Sequence, residues 1–299
     1  MAAWKGTLMK LVVFGLGFSA KAFVNFASDR FSDITATVTS QEKATRLTND
    51  HCHVCVFNAE YADPKIFDAL READAALISI GPDEKGDPVL RRFAREIETS
   101  KTITWIGYLS TIGVYGDAQG GWVDETTPPT PSHQRTHMRV KVEQEWVSLG
   151  TRAKKAVHIF RLAGIYGPGR NPILNLVQRA QRIIKPGQVF NRIHVDDIAQ
   201  TLLASLAKPR AGAIYNVTDH EPAPPQDVLT YAAELMGVDP PPEIPFEKAV
   251  MSEMARSFYA DNKRVSNRLI REELGVKFLY PTYREGLQAL ANSGEGKAF

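Results

Sequence analysis

Leu11-Val12-Val13-Phe14-Gly15-Leu16-Gly17-Phe18-Ser19-Ala20 is the stretch on which the reading of the fold turns. A short apolar run passes directly into G-x-G-x-x-A, and beyond it apolar residues fall three and four apart as far as residue 31. A buried strand, a tight glycine turn and an amphipathic helix account for that order. The first small residue permits the turn, the second lets a backbone approach a pyrophosphate, and the third lets helix and strand pack closely, with the helix N-terminus facing the anion. Gly15, Gly17, Phe18 and Ala20 are therefore the expected phosphate-turn residues. A secretory signal is the competing reading, because Lys5 and Lys10 precede the apolar residues and Ala20-Lys21-Ala22 could serve as a cleavage site. The run is short for that purpose and is interrupted by Gly15 and Gly17, which favours the strand and turn.

The same alternation continues outward. Apolar runs at 8–14, 34–38, 54–57, 75–80, 103–108 and 157–162 read as strands, and the segments 18–31, 41–48, 64–72, 88–99 and 133–149 carry helical periodicity between them. Such alternation calls for parallel strands joined by right-handed crossovers and covered by helices on both faces. The expected class is α/β, a doubly wound parallel sheet. After residue 162 the pattern loosens: Gly167-Pro168-Gly169, Lys185-Pro186-Gly187, Pro224-Pro225 and Pro240-Pro241-Pro242 mark loops around helical segments at 195–207 and 226–236. This predicts a nucleotide-binding domain over 1–162, a smaller α+β substrate-binding region over 163–292 and a flexible tail over 293–299.

Composition narrows the function. The 299 residues suffice for one large or two modest domains, and 43% hydrophobic with 23% charged is ordinary for a globular chain. Thirty-six Lys and Arg against 34 Asp and Glu leave +2, with no dense basic block, so nucleic acid is not an expected partner. No stretch approaches 18 consecutive apolar residues, so no membrane span is expected. Cys52 and Cys55, if on one strand, would stand ~10 Å apart, too far for a bridge, which suits a reducing, cytoplasmic setting. His51-Cys52-His53-Val54-Cys55 is the one metal-like cluster, but a strand turns its two cysteines to opposite faces, and no metal is expected. Neither a G-x-S-x-G elbow nor the Gly-Lys-Ser/Thr ending of a P-loop is present.

About 20 residues past the glycine turn, where an NAD site would place a carboxylate, stand Thr39 and Ser40. Glu42 lies just beyond, but so do Lys43 and Arg46, which favours NADP over NAD; the alternative is a solvated helix face. Ile78-Ser79-Ile80-Gly81-Pro82 ends the fourth strand, where a doubly wound sheet opens its crevice, unless Gly-Pro makes only a turn there.

Further along come Ser110-Thr111-Ile112-Gly113-Val114-Tyr115-Gly116, Arg161-Leu162-Ala163-Gly164-Ile165-Tyr166-Gly167-Pro168-Gly169, Arg192-Ile193-His194-Val195-Asp196-Asp197-Ile198-Ala199 and Tyr215-Asn216-Val217. With the glycine turn, these resemble the extended short-chain dehydrogenase/reductase superfamily, in its nucleotide-sugar epimerase/dehydratase-like branch. G-x-G-x-x-A in place of G-x-x-G-x-x-G points to its atypical members. The resemblance implies a Rossmann cofactor domain, with Asn58 toward adenine, Gly81 and Pro82 beside the cofactor ribose and Gly164 also among the cofactor residues. It also implies a Ser or Thr after the fifth strand, matched by Thr111, and a Tyr-x-x-x-Lys pair on the next helix. Lys141 matches the lysine, with Glu145 four further on where relatives often carry Glu, and the tyrosine position is then His137.

Residues 137 and 141 share a helical face if the segment is a helix, and an imidazole beside a lysine could move a proton near neutrality. One hypothesis is thus an NAD(P)-dependent oxidoreductase with a centre of Thr111, His137 and Lys141. Another is a dinucleotide-binding sensor or regulator with little chemistry, and a third an epimerase or dehydratase that recycles its cofactor. Arg161, Arg170, Arg192 and His194 lie where the resemblance implies substrate contacts, and guanidinium groups suit an anionic or nucleotide-linked small molecule. The alternative for them is structural pairing with Asp196, Asp197 or Glu221. Relatives pair through the helices at 88–99 and 133–149, which implies a homodimer.

Overall fold

Residues 8–177 and 181–296 are described by a computed structural model of the chain. In chain order the elements are β1 (Met9–Phe14), α1 (Phe18–Phe26), β2 (Phe31–Val38), α2 (Gln41–Leu47), β3 (His53–Val56), α3 (Lys65–Glu72), β4 (Ala75–Ile78), α4 (Pro88–Thr99) and β5 (Trp105–Thr111). There follow β6 (Trp122–Val123), α5 (Gln134–Ala153), β7 (Ala156–Leu162), β8 (Gly164–Tyr166), α6 (Pro172–Val177), β9 (Arg182–Ile184), β10 (Arg192–His194), α7 (Val195–Leu206) and β11 (Ala213–Val217). The chain ends with α8 (Pro225–Met236), β12 (Glu243–Pro245), α9 (Glu253–Phe258), β13 (Arg264–Val265), α10 (Arg268–Glu272) and α11 (Tyr283–Asn292).

Seven strands make one parallel sheet in the order β11-β7-β5-β4-β1-β2-β3, a doubly wound Rossmann-type arrangement. The chain runs outward from β1 to β3, then returns to β4 on the other side of β1. Strand order therefore reverses between β1 and β4, where such sheets bind ligands at their carboxyl ends. Val13 faces Ala36 on one side and Leu77 on the other, so β1 is paired along both edges. That explains why its residues from Leu11 to Phe14 read as a continuous apolar run, not an alternating one. Helices α3, α4 and α5 cover this sheet through Ile66, Leu70, Phe93, Ile97, Val142 and Trp146. Phe14, Phe57 and Phe93 meet edge-on or tilted at 5.2–6.0 Å.

Helix α1 stops at Phe26, short of the expected residue 31, because Phe31 opens β2 and is buried there beside Phe23. The six anticipated strands are joined by a seventh, β11, which comes from the loosely patterned C-terminal half.

The chain divides into two compact units. The first takes the described residues of Met1–Thr111 with Gln134–Arg161 and Ile198–Tyr215; the second takes Ile112–His133, Leu162–Asp197 and Asn216–Phe299. One crossing falls between Arg161 and Leu162, beside the boundary read from the sequence. The others arise where a loop after β5 joins the second unit and where α7 and β11 return to the first, excursions that leave no mark in composition. Within the second unit, β8 pairs with β10, β9 with β12 and β6 with β13, all parallel. Its core gathers Tyr166, Ile173, Val228, Ala232, Tyr283 and Leu287. Of the expected tail, Ser293 to Gly296 form turns and the Glu295 carboxylate accepts from the Gly169 N–H and Asn171 Nδ2, both at 2.9 Å; residues 297–299 lie outside the described residues. Among the described residues no helix is long and apolar enough to cross a membrane.

Candidate functional site

The three small residues of the glycine turn have three separate reasons. Gly15 has φ +90°, and a Cβ there would stand 2.7 Å from Ile80 Cγ1 and 3.2 Å from the Ile80 nitrogen, so conformation and contact both require glycine. Its N–H donates to Thr37 Oγ1 at 2.9 Å, and the Leu16 N–H donates to the Thr37 carbonyl at 2.8 Å, which fastens the turn to the end of β2. Gly17 is the N-cap of α1 in extended conformation, and a Cβ there would meet nothing within 4 Å. It has no side chain with which to cap the helix, and the space it faces is open to an anion. Ala20 is fully buried against the sheet. These residues fit a dinucleotide pyrophosphate.

Just beyond the same end of β2, Ser40 caps α2 by accepting from the Lys43 N–H at 3.4 Å, and Thr39 is exposed. Asn58 ties the neighbouring loop together: Nδ2 donates to the Thr39 carbonyl at 3.1 Å, and Oδ1 accepts from Glu60 and Tyr61. A cavity of about 360 Å³ opens beside it, lined by Phe57, Asn58, Glu60, Tyr61, Arg91 and Arg92 among others. Pro82 and Gly81 follow β4 in a loop closed by the Arg91–Asp83 pair at 2.6 Å, and Asp87 caps α4 from within the core. Asp87 Oδ1 accepts from Val89 and Leu90, and Oδ2 accepts from Trp146 Nε1 at 3.1 Å; burial pushes its carboxyl above the ordinary range.

The decisive geometry is on α5. Its buried residues include Thr136, Val142, Glu143, Trp146 and Leu149. Glu143 accepts from Ser110 at 2.5 Å and pairs with Arg161 at 2.7 Å, both within the core. One turn earlier, Arg139 donates to Tyr108 hydroxyl at 3.1 Å and to the Leu109 carbonyl at 2.9 Å, and its guanidinium lies over the Tyr108 ring. It packs so close to the loop after β4 that a Cβ on Gly81 would stand 2.7 Å from Nη2. His137 and Lys141 are exposed, and Lys141 pairs with Glu145 at 3.8 Å. At ~100° per residue each lies about 160° around the helix from Arg139.

Thr111 is the last residue of β5, the strand that holds Arg139, while His137 and Lys141 lie on the exposed face of α5. Two frames of identical spacing overlap here, 137/141/145 and 135/139/143. The glutamate that is buried is Glu143, Arg139 stands one turn before it on the same face, and Arg135 is exposed. Sequence reasoning missed Arg139 and Glu143, although the apolar stripe of Val142, Trp146 and Leu149 was a signal for the inward face.

In the second unit, Arg192 is half-buried and His194 is buried. Arg192 Nη1 donates to the carbonyls of Phe190 and Ala223 at 2.9 and 3.1 Å. His194 is 1% exposed, accepts from the Asp196 N–H at 3.2 Å and stands against the Tyr166 and Tyr280 rings; burial lowers its pKa to about 4. Arg192 Nη1 and His194 Nδ1 thus serve the backbone of the loops around them. Asp197 accepts from the Leu279 and Tyr280 N–H groups, and Glu221 pairs with Arg284. Arg170 and Gly164 are exposed, and the Gly164 N–H donates to the Asn191 carbonyl at 3.0 Å. Trp105 and Trp146 are core residues, whereas Trp122 is exposed at a cavity of about 190 Å³ shared with Asp219, His220 and Asn267. Cys52 and Cys55 are buried, which pushes the Cys52 thiol up to about 11. Among the described residues no group of three His, Cys, Asp or Glu could hold a metal. On α4 the exposed residues include Arg91, Arg92 and Arg95, a charged face where the homodimer was expected.

Residues 94–218 match the model of the NAD dependent epimerase/dehydratase family. Protein YeeZ from Escherichia coli (strain K12) is 30% identical over 287 residues, covering 92% of this chain and 97% of its own. This chain belongs to the NAD-dependent epimerase/dehydratase family. A conserved protein of unknown function from Silicibacter pomeroyi DSS has a similar structure, with a TM-score of 0.87, 45% identity and coverage of 96% of this chain and 99% of that one. The dTDP-glucose 4,6-dehydratase of Bacillus anthracis str. Ames, solved in complex with NAD, shares the fold at a TM-score of 0.77 and 16% identity, each chain covered to 97%.

Proposed function

We propose that this chain binds a nicotinamide dinucleotide over the 15–20 turn, NADP in preference to NAD, and uses it for hydride transfer at a carbonyl or hydroxyl carbon of a small substrate. The observation that carries the reading is the open face of Gly17 at an uncapped helix start, in a member of a family named for its NAD dependence. Gly15, Gly17, Phe18 and Ala20 would hold the pyrophosphate. Thr39 and Ser40 would meet the adenosine ribose, with Lys43 and Arg46 near a 2′-phosphate and no carboxylate at the strand end to repel it. Asn58, Gly81 and Pro82 border the same crevice.

When bound, the nicotinamide gives or takes the hydride. Thr111 donates its hydroxyl hydrogen to the substrate oxygen, and Arg139 supplies a fixed positive charge where relatives carry lysine. A guanidinium stays protonated at any physiological pH, so it stabilises developing negative charge and passes no proton. A preorganised donor of this kind is worth about 10²–10³ in rate, whereas a missing general acid costs about 10²–10⁴. The proton is exchanged with water, and turnover shows no bell centred near neutrality.

The test is a fluorescence titration with NADPH and NADH separately. Tighter binding of NADPH is expected, and a folded protein that binds neither sinks the reading. The guanidinium in place of a titratable pair also favours a second reading, a dinucleotide-responsive protein with little turnover; firm binding without reduction of any of a panel of aldehydes, ketones and nucleotide sugars would select it.

A further inference from the structure

Arg139 is a half-buried cation without an acid. Among the described residues it forms no ion pair within 4 Å, and its two hydrogen bonds, both from Nη1, go to a neutral hydroxyl and a carbonyl. The acids around it are already engaged. Glu143 is held by Arg161 and Ser110, and Asp87 by the start of α4 and Trp146. Nη2 meanwhile lies against Gly81, on the loop whose Ile80 touches Gly15. A guanidinium drawn out of water at the rim of a crevice, with donors left over, calls for an anion from outside the chain.

We propose that Arg139 pairs with an oxyanion of the bound ligand, either a carboxylate of the substrate or a phosphate of the dinucleotide. This rests on the crevice above being the ligand site, and it deepens that reading by naming the charge of what enters. The fork of Arg139 is fixed on one side by Tyr108 and Leu109, so it is presented in one orientation and can grip a carboxylate or phosphate with two parallel bonds. A Cβ at position 81 would stand 2.7 Å from Nη2, so a side chain there would displace the end of the guanidinium from where it now lies.

The experiment compares the full chain with Arg139→Gln and Arg139→Lys, and with Arg152→Gln as a control that removes the same charge from the far end of α5. Calorimetric titrations use NADPH and, separately, oxalate as a planar carboxylate probe, the latter with and without NADPH. A phosphate partner predicts a tenfold or greater loss of NADPH affinity in Arg139→Gln, partly restored in Arg139→Lys. A carboxylate partner predicts unchanged NADPH affinity and a tenfold or greater loss of oxalate binding. Arg152→Gln changes neither. If Arg139→Gln, shown by its thermal midpoint to be folded, binds both probes within twofold of the parent chain, or if the parent chain binds neither probe, the inference is overturned. A parent chain that binds oxalate through Arg139 but binds no dinucleotide leaves the inference standing and removes the cofactor reading.

Discussion

Helix α5 carries two stripes of polar residues, two positions out of step, and they meet different media. The inward stripe, Arg139 and Glu143, is wrapped by the sheet, and each of its hydrogen bonds goes to the end of β5 or to β7. The outward stripe, His137 and Lys141 with Gln144 and Ser148, faces water, and its one ion pair joins neighbours on the same helix. An exposed pair of that kind is worth about 0.3–0.5 kcal/mol. A buried pair is a different object, since removing one partner strands a charge where solvent cannot reach it. Spacing is shared between the stripes, and burial alone gives one of them a role.

That contrast is open to breakage. Glu143→Ala removes the carboxylate that Arg161 and Ser110 both use, and should cost about 3–5 kcal/mol in denaturant unfolding, whereas Lys141→Ala should stay within about 0.5 kcal/mol. Equal losses would erase the difference between the faces. Gly15→Ala forces a side chain onto Ile80 at positive φ and should cost about 1–3 kcal/mol.

The second unit extends the contrast to pH. His194, held near 4 against an ordinary 6.5, takes its proton first in the unfolded chain; its stabilising contribution is whole above pH 6.5 and is lost as the pH falls toward 4. Asp219, raised by burial from 3.8 to about 8, keeps its proton longer in the folded chain, so its contribution is whole below pH 3.8 and is lost as the pH climbs toward 8. The two slopes oppose each other between pH 4 and 6.5, and only that of Asp219 remains above. Stability should therefore fall by about 1–2 kcal/mol from pH 6.5 to 8, and Asp219→Asn should flatten the fall in chemical denaturation at stepped pH.

Smaller effects sharpen the site itself. Gly17→Ala meets no neighbour, so its unfolding free energy should move by less than about 1 kcal/mol while dinucleotide affinity drops tenfold or more; unchanged affinity would mean that no phosphate comes near that turn. His137→Ala is the smallest change, within about 0.5 kcal/mol in stability and twofold in dinucleotide affinity, and a large loss of affinity would return the outward stripe to the site.

Much of this was legible before any coordinates. The run Leu11 to Phe14 is the buried strand favoured over a signal segment, and Gly15 makes the turn and Ala20 the close packing that their spacing suggested, because a turn is made by residues adjacent in the chain. The strands that alternate with helices up to Leu162 follow from the same local rule. The inward face of α5 was not legible in that way, since a four-residue step is satisfied equally by 137/141 and 135/139. The backbone contacts of Arg192 and His194 were not legible for a related reason: a cation or imidazole in a loop looks the same on paper whatever it meets.

The sequence by itself determined the doubly wound class and the glycine turn, since each depends on side-chain size and periodicity over a few neighbouring residues. Only the tertiary structure decided which face of α5 looks into the sheet, that Arg139 lies against Gly81, and that His194 is interior. Those outcomes depend on partners tens of residues away, such as Arg161 for Glu143, and the free energy of burying a charge is set by what packs around it and not by its place in the chain.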